Sequence, residues 1–172
     1  MSPTRIPEAN EAAEYYFTYV KQVPVGDIRM TLQSPAGILL AVFNGISEEQ
    51  SRHQYAPDKW TIRQVLSHIN DTERLFVFRA LWFARGFDTP LPSFDQNVAI
   101  ASAGADERSW HSHVEEFDAL RRASVAFFAP LPAEAWDRRG VASGFPFSVR
   151  ALAYLTAGHA EHHVRILRER YL

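Results

Sequence analysis

Hydrophobic residues recur along this chain at the three- and four-residue spacing of amphipathic helices, and prolines and glycines separate the segments that show it. The pattern predicts five helices, four of them long. They span residues 7–20, 27–44, 62–84, 106–129 and 149–172. Thr61 and Ser148 stand where N-caps are expected, and Gly86 stands where a helix ends in a left-handed residue. The pattern therefore predicts an all-α protein.

The segment from residue 87 to residue 104 lacks helical spacing and carries Pro90 and Pro92. It is long for a connection inside a helical bundle, and long ordered loops are often functional. We therefore interpret it as a lid over a binding site. With this long loop between the third and fourth helices, the elements predict a four-helix bundle with short extra helices.

The length and the net charge of the chain indicate how many domains it forms and which kinds of partner it binds. A chain of 172 residues, 47% of them hydrophobic, is long enough for one well-buried core, so we expect a single domain spanning residues 1–172. The formal net charge is −2, and basic residues form no run longer than a doublet. These features predict no nucleic-acid partner and no membrane partner, and they favour a small-molecule substrate or a protein partner.

The sequence contains no cysteine. The chain therefore has no disulfide and no thiolate nucleophile, and any metal site must use histidine and carboxylate ligands. The first residues lack the apolar core of a signal peptide, and no stretch reaches the roughly 18 apolar residues that span a bilayer. We expect a cytoplasmic protein.

The last helix carries the sharpest chemical pattern, because His159 and His163 are four residues apart. At about 100° per residue, both lie on the apolar stripe that faces the core. Two imidazoles at this spacing can reach one metal ion, as in helical zinc sites. His162 falls about 60° to the side of His159, at the edge of the stripe. The opposite face carries Arg150, Glu161, Arg165 and Arg168.

A third ligand must come from another helix, and His68 lies on the core-facing side of the helix predicted from residue 62. Three buried imidazoles without partners are costly, and one shared cation satisfies all of them. We therefore predict a divalent metal site formed by His68, His159 and His163. The alternative is that each is a core histidine with its own hydrogen-bond partner.

Each of four further residues has two possible roles, one at the metal site and one structural or solvent-exposed. Asp71 or Glu73 can orient a ligand imidazole, and Asp95 on the loop can act on a bound water, but all three can equally be solvated or structural. Arg79 can neutralise an anionic substrate, although a buried structural ion pair is the favoured reading. A structural metal site would need His162, Asp71 or Glu73 as a fourth ligand, whereas a catalytic site keeps that position open.

We interpret the aromatic residues Phe76, Phe78, Trp82 and Phe83 as core and not as a cofactor site, although Val77 and Leu81 make this helix apolar on nearly every side. Burial against a second subunit would explain this distribution.

Two groups of residues resemble the DinB/YfiT-like metalloprotein superfamily. The first comprises residues 59–69, KWTIRQVLSHI, and residues 71–74, DTER. The second is the helix from Gly158, with its GHAEHH motif, to Leu172. Residues 90–97, PLPSFDQN, resemble a loop of one branch. The resemblance implies a four-helix bundle, commonly a homodimer, with a three-histidine site for zinc, nickel or a similar ion at the matching residues His68, His159 and His163.

Members of that superfamily include thiol-dependent S-transferases, a thiol-dependent isomerase and proteins described as hydrolases. We therefore expect an enzyme that uses metal-activated water or thiolate on a small molecule, with a low-molecular-weight thiol as cosubstrate in the transferase version. The alternative is a non-catalytic, dimeric binding or scaffold protein whose metal site is structural or a relic.

Overall fold

A computed structural model describes residues 5–172, apart from the side chains of residues 34–36. Its elements are α1 (Phe17–Val20), α2 (Ile28–Asn44), α3 (Ile62–Ala84), α4 (Gln96–Ser102), α5 (Trp110–Phe128), β1 (Arg139–Ala142), β2 (Phe145–Ser148) and α6 (Val149–Arg170). The four long helices form the predicted bundle: α3 packs against α5 and α6, and α2 packs against α5 and α6. None of the described helices combines the length and apolar character that crossing a membrane requires.

Side-chain caps explain why the two helices that carry the histidines begin where they were predicted. Thr61 accepts a hydrogen bond from the Gln64 backbone N–H, and the Gln64 side chain accepts one from the Thr61 N–H, a complete capping box. Ser148 accepts a hydrogen bond from the Ala151 N–H at the start of α6. Beyond α3, Gly86 adopts a φ of +83°, which favours glycine.

Two helices are shorter than predicted. The segment predicted as a helix from residue 7 contains only a 3-10 turn at Glu14–Tyr16 followed by α1. The helix predicted from residue 106 begins instead at Trp110, because Ser109 is its N-cap and accepts a hydrogen bond from the Ser112 N–H.

The segment predicted as one long loop is partly ordered by α4 and by a hairpin that the sequence pattern did not indicate. β1 and β2 pair antiparallel, and Ser143 and Gly144 at their turn both have positive φ. Leu91 donates a hydrogen bond from its N–H to the Val141 carbonyl oxygen and accepts one from the Ser143 N–H. The loop after α3 is therefore attached to the hairpin by an isolated parallel bridge between Leu91 and Ala142.

The apolar core divides into two clusters. One joins α1, the hairpin and the second half of α3 to the first half of α6, and the other joins α2, the start of α5 and the first half of α3 to the second half of α6. α6 is buried on nearly all sides up to Ala160. Arg150, predicted on the polar face, is consequently fully buried and pairs with Glu11 and Asp137.

Candidate metal centre

The three predicted ligands meet at the boundary between the two core clusters. His68 lies on α3, and His159 and His163 lie one turn apart on α6, which packs along α3. One potential ligand atom from each residue lies within 4.8 Å of those from the other two. His68 and His159 are buried, and His163 is half-buried. The structure thus brings together the set of residues that the sequence pattern selected.

The nitrogen atoms of the three rings converge. The Nε2 atom of His159 lies 3.0 Å from that of His68 and 3.1 Å from that of His163. Ligand nitrogens about 2.0 to 2.1 Å from a tetrahedral ion lie about 3.3 Å from each other. The observed separations are close to this value, so a small rotation of the rings is enough for shared coordination.

Hydrogen bonding alone does not satisfy this arrangement. A neutral imidazole has one N–H donor and one acceptor nitrogen, so the Nε2 atom of His159 is either a donor or an acceptor. In neither state does it form good hydrogen bonds with both neighbouring Nε2 atoms at once. A cation that accepts a lone pair from each ring satisfies all three nitrogens together.

The electrostatics of the site favour the neutral, metal-binding form of each ring. Burial lowers the pKa of His68 to about 4. Burial, with repulsion from His68 and His162, lowers the pKa of His163 to about 3. The pKa of His159 falls well below its ordinary value, first because of burial and then because of the neighbouring histidines. All three rings are therefore uncharged at neutral pH, as metal ligands must be.

Aromatic rings and one hydroxyl group hold the imidazoles in place. Tyr19 and Phe76 pack edge-on against His159, with centroid distances of 5.2 and 5.9 Å, and the Trp60 ring lies 5.0 Å from His68. The Thr72 hydroxyl lies 3.4 Å from the Nδ1 atom of His68. Thr72 therefore has the orienting position for which Asp71 and Glu73 were considered. Tyr19 was missed because the helical spacing within residues 7–20 does not indicate which other helix this segment approaches.

The other candidate residues have different roles. Glu73 accepts hydrogen bonds from Arg121 and Ser124, and Asp71 lies near Arg74. Asp95 is the N-cap of α4, where it accepts hydrogen bonds from backbone N–H groups.

His162 packs against the rings of Tyr19 and His163, but it is not part of the converging group. Among the described residues, no fourth histidine or carboxylate completes the group around the three imidazoles. A bound ion would therefore keep an open coordination position.

Two cavities reach the histidines from different sides. A cavity of about 110 Å³ touches His68 and His159, and its walls include Tyr19 and Arg79. A second cavity, of about 260 Å³, touches His163. A larger cavity of about 530 Å³ between α3, α4 and α5 contains no histidine. We place the site at the two smaller cavities because the chemistry depends on the ligand nitrogens and not on volume.

Arg79 does not form the structural ion pair that the sequence reading favoured. Among residues 5–172, no carboxylate pairs with it, and its Nη2 atom donates hydrogen bonds to the Pro92 carbonyl oxygen and the Ser143 hydroxyl. Burial lowers the pKa of Arg79, an effect that the nearby Tyr16 partly offsets.

Comparison with known proteins agrees with this architecture. A family model described as the DinB superfamily matches residues 35–167. The solved structure of YfiT from Bacillus subtilis is similar, with a TM-score of 0.73 and 16% identity, over 95% of this chain and 89% of that one. YfiT is described as a probable metal-dependent hydrolase with an unusual four-helix bundle topology. At this identity the likeness concerns the fold. A comparison with curated proteins finds no match.

Proposed function

The chain belongs to the DinB superfamily, and from this premise and the site geometry we propose that it is a metal-dependent enzyme acting on a small molecule. His68, His159 and His163 would hold a divalent transition metal, with zinc and nickel as the first candidates because imidazole suits both. The observation that carries the proposal is that three neutral imidazoles converge beside a cavity without a fourth protein ligand.

Such an ion, when bound, supplies either an activated water or a coordinated thiolate. The chain's own residues prepare the site for this chemistry. Thr72 holds the His68 ring through its Nδ1 side, so that Nε2 points toward the other imidazoles. Tyr19, Phe76 and Trp60 surround the rings with aromatic surface, which limits the access of bulk water. The cavity that touches His68 and His159 would hold the substrate.

Hydrolysis is the first candidate reaction because it needs only one small substrate and water, and because YfiT, which shares the fold, is described as a probable hydrolase. The second candidate is transfer to a low-molecular-weight thiol. One observation favours it: the two cavities at the histidines give separate approaches, one at His68 and His159 and the other at His163. A reaction between two substrates can use two such approaches.

The scaffold alternative is less well supported. A structural zinc site is normally closed by four protein ligands. Among the described residues, only three converge, and Glu73 and Asp71 are engaged with arginines elsewhere.

We also propose that the protein is a homodimer that associates through α3 and α5. Phe78 and Leu81 on α3 are 48% and 39% exposed, and they adjoin an apolar hollow formed with Leu120 and Phe127 of α5. Large apolar side chains grouped in this way are typical of interaction surfaces.

The first test is elemental analysis of protein purified without a metal-affinity tag. We expect about one divalent ion per chain in the wild type and less than about a tenth of that in His68→Ala and His159→Ala. His111→Ala, which removes a 78% exposed histidine from α5, is the matched control and should keep the ion. The loaded protein is then screened for ester and amide hydrolysis and for transfer to small thiols. A wild type that neither contains nor takes up metal would refute the proposal.

A further inference from the structure

Four arginine side chains are fully buried in the described part of the chain, and three of them pair with a carboxylate. These pairs are Arg63–Glu48, Arg121–Glu73 and Arg150–Glu11. The fourth, Arg79, is 2% exposed and has no carboxylate partner among residues 5–172. A buried cation without a counter-charge is costly, so the exception needs a physical explanation.

The hydrogen bonds of Arg79 do not supply that counter-charge. Its Nη2 atom lies 2.8 Å from the Ser143 Oγ atom and 3.1 Å from the Pro92 carbonyl oxygen, and both acceptors are neutral. The Phe147 ring, 6.0 Å from its Cζ atom, and the Tyr16 side chain also interact with the guanidinium, but neither carries a negative charge. Its Nε atom is buried and has no hydrogen-bond partner. A guanidinium remains charged at all ordinary pH values, so burial does not remove the imbalance by deprotonation.

The same cavity touches Arg79 at one side and His68 and His159 at another. Of the described residues that line it, Arg79 alone carries a formal charge at neutral pH, and the remaining polar groups are neutral. Besides His68 and His159, they are the tyrosine, threonine, glutamine and serine side chains Tyr15, Tyr16, Tyr19, Thr72, Gln96 and Ser143. The cavity is therefore electropositive toward any ligand that enters it.

The size and geometry of the cavity restrict what this ligand is. A volume of about 110 Å³ is below the roughly 300 Å³ at which drug-sized pockets begin. Along α3, His68 and Arg79 are about 16 Å apart at 1.5 Å per residue, and the cavity touches both side chains. A ligand can thus have its anionic group at Arg79 and its other end near the histidines.

We propose that the substrate is a small organic acid whose carboxylate binds Arg79 while its reacting end faces the histidine cluster. This assignment of substrate class rests on the proposed function. The planar guanidinium matches a carboxylate in shape as well as charge, and Arg79 lines this cavity. The bound acid then supplies the counter-charge that the protein does not provide.

The test compares acids with amides of the same shape. Butyrate and benzoate, and the neutral butyramide and benzamide, are titrated by calorimetry into metal-loaded and chelator-treated protein. We expect each acid to bind the wild type about tenfold or more tightly than its amide, in both forms of the protein. A carboxylate that only coordinates the metal would lose its binding in the chelator-treated form.

Arg79→Gln should reduce the affinity for the acids to that for the amides, and Arg79→Lys should give an intermediate value. Arg85→Gln, which removes an exposed arginine from the end of the same helix, is the matched control and should bind as the wild type does. If circular dichroism shows that Arg79→Gln is unfolded, the proposal is tested by the comparison of acids with amides in the wild type and by the affinities of Arg79→Lys. Equal affinities for acid and amide, no binding of either acid, or an unchanged affinity in folded Arg79→Gln would each overturn the proposal.

The metal content of the variants separates this inference from the proposed function. Arg79→Gln should retain the wild-type stoichiometry of metal, because Arg79 is not a ligand. Wild-type protein that binds acids through Arg79 but takes up no metal would leave the anion site standing and refute the enzyme proposal. Protein that binds metal but shows no preference for acids would refute the carboxylate site at Arg79 and leave the proposed metal site standing.

Discussion

The Nε2 atoms of His68 and His159 lie 3.0 Å apart although the two residues are 91 positions apart in the sequence. Because burial keeps both rings neutral, they meet as two polar groups with limited means of satisfying each other. The interface between α3 and α6 therefore contains two incompletely hydrogen-bonded polar groups in otherwise apolar surroundings. A bound cation coordinated by both rings would stabilise this interface.

The His163→Ala variant tests how much of the unfolding free energy comes from metal binding and how much from the histidine itself. A free metal concentration of about 100 times the Kd should raise the free energy of unfolding of the wild type by about 2.7 kcal/mol. The same concentration should leave the free energy of unfolding of the variant unchanged. In metal-free protein, the variant should unfold within about 1 kcal/mol of the wild type, because one unsatisfied nitrogen has been removed. Urea titrations with and without metal measure both values. A metal-free loss above about 3 kcal/mol would favour a structural role.

Phe78→Asp tests the proposed dimer. We expect the wild type to sediment as a dimer and the variant as a monomer, because a charge in the centre of an apolar contact cannot be hydrated there. Val98→Asp changes a 64% exposed residue on α4 and should remain dimeric. Analytical ultracentrifugation distinguishes these states, and a monomeric wild type would count against the proposed dimer.

Glu73→Gln should cost about 3–5 kcal/mol of stability, because it leaves the Arg121 guanidinium buried without its counter-charge. The two side chains are 2% and 1% exposed, and their ion pair joins α3 to α5. Urea unfolding measures the loss. Arg122→Gln, at a 74% exposed neighbour, should change stability by less than about 0.5 kcal/mol. Similar effects in both variants would mean that the buried pair is not structurally important.

Glu11 should make the stability depend on pH in the acid range. Burial raises its pKa, but the hydrogen bonds from Ser148 and Arg5 and the charge of Arg150 outweigh this, and the net pKa lies below its ordinary value of 4.5. The contribution to stability is therefore present above pH 4.5 and is lost as the pH falls through the lowered pKa of the folded state.

The difference in unfolding free energy between wild type and Glu11→Gln, measured by urea titration, should shrink as the pH is lowered from 6 toward 3. A difference that is independent of pH would contradict the lowered pKa.

Gly158→Ala should destabilise the protein by about 1–3 kcal/mol, because the backbone of α1 must move. A Cβ atom at this position would lie 2.1 Å from the Tyr19 carbonyl oxygen. Gly37→Ala is the control: nothing lies within 4 Å of its Cβ position on α2, and it should stabilise the helix by about 0.5–1 kcal/mol. Thermal and urea unfolding measure the stability of both variants. A Gly158→Ala variant as stable as the wild type would mean that α1 moves away from the added methyl group at no cost.

The parts of the site that were predicted from sequence depend on local geometry. His159 and His163 share a face because a helix repeats every 3.6 residues, and helix limits near Thr61 and Ser148 follow from side chains that satisfy backbone N–H groups. His68 could be chosen because it is a histidine on a core-facing stripe, and a bundle needs facing stripes.

The remaining parts depend on contacts between distant segments. Tyr19 reaches the histidines because Gly158 allows α1 to approach α6, and no periodicity reports that approach. The hairpin is short, and its pairing with Leu91 is a tertiary contact. Arg79 was assigned a carboxylate partner because buried arginines usually have one. Only the positions of all described acidic side chains reveal that it lacks one.

The elements that carry the ligands form one part of the cavity wall, and three other stretches complete it. The histidines stand on α3 and α6, the two long helices at the centre of the bundle, whereas Tyr15, Phe94 and Ser143 reach the cavity from the first segment, the loop and the hairpin turn. Substitutions at these three positions would alter which molecule is accepted without changing a ligand residue. The architecture is therefore a suitable starting point for directed evolution of new specificities on a constant reactive centre.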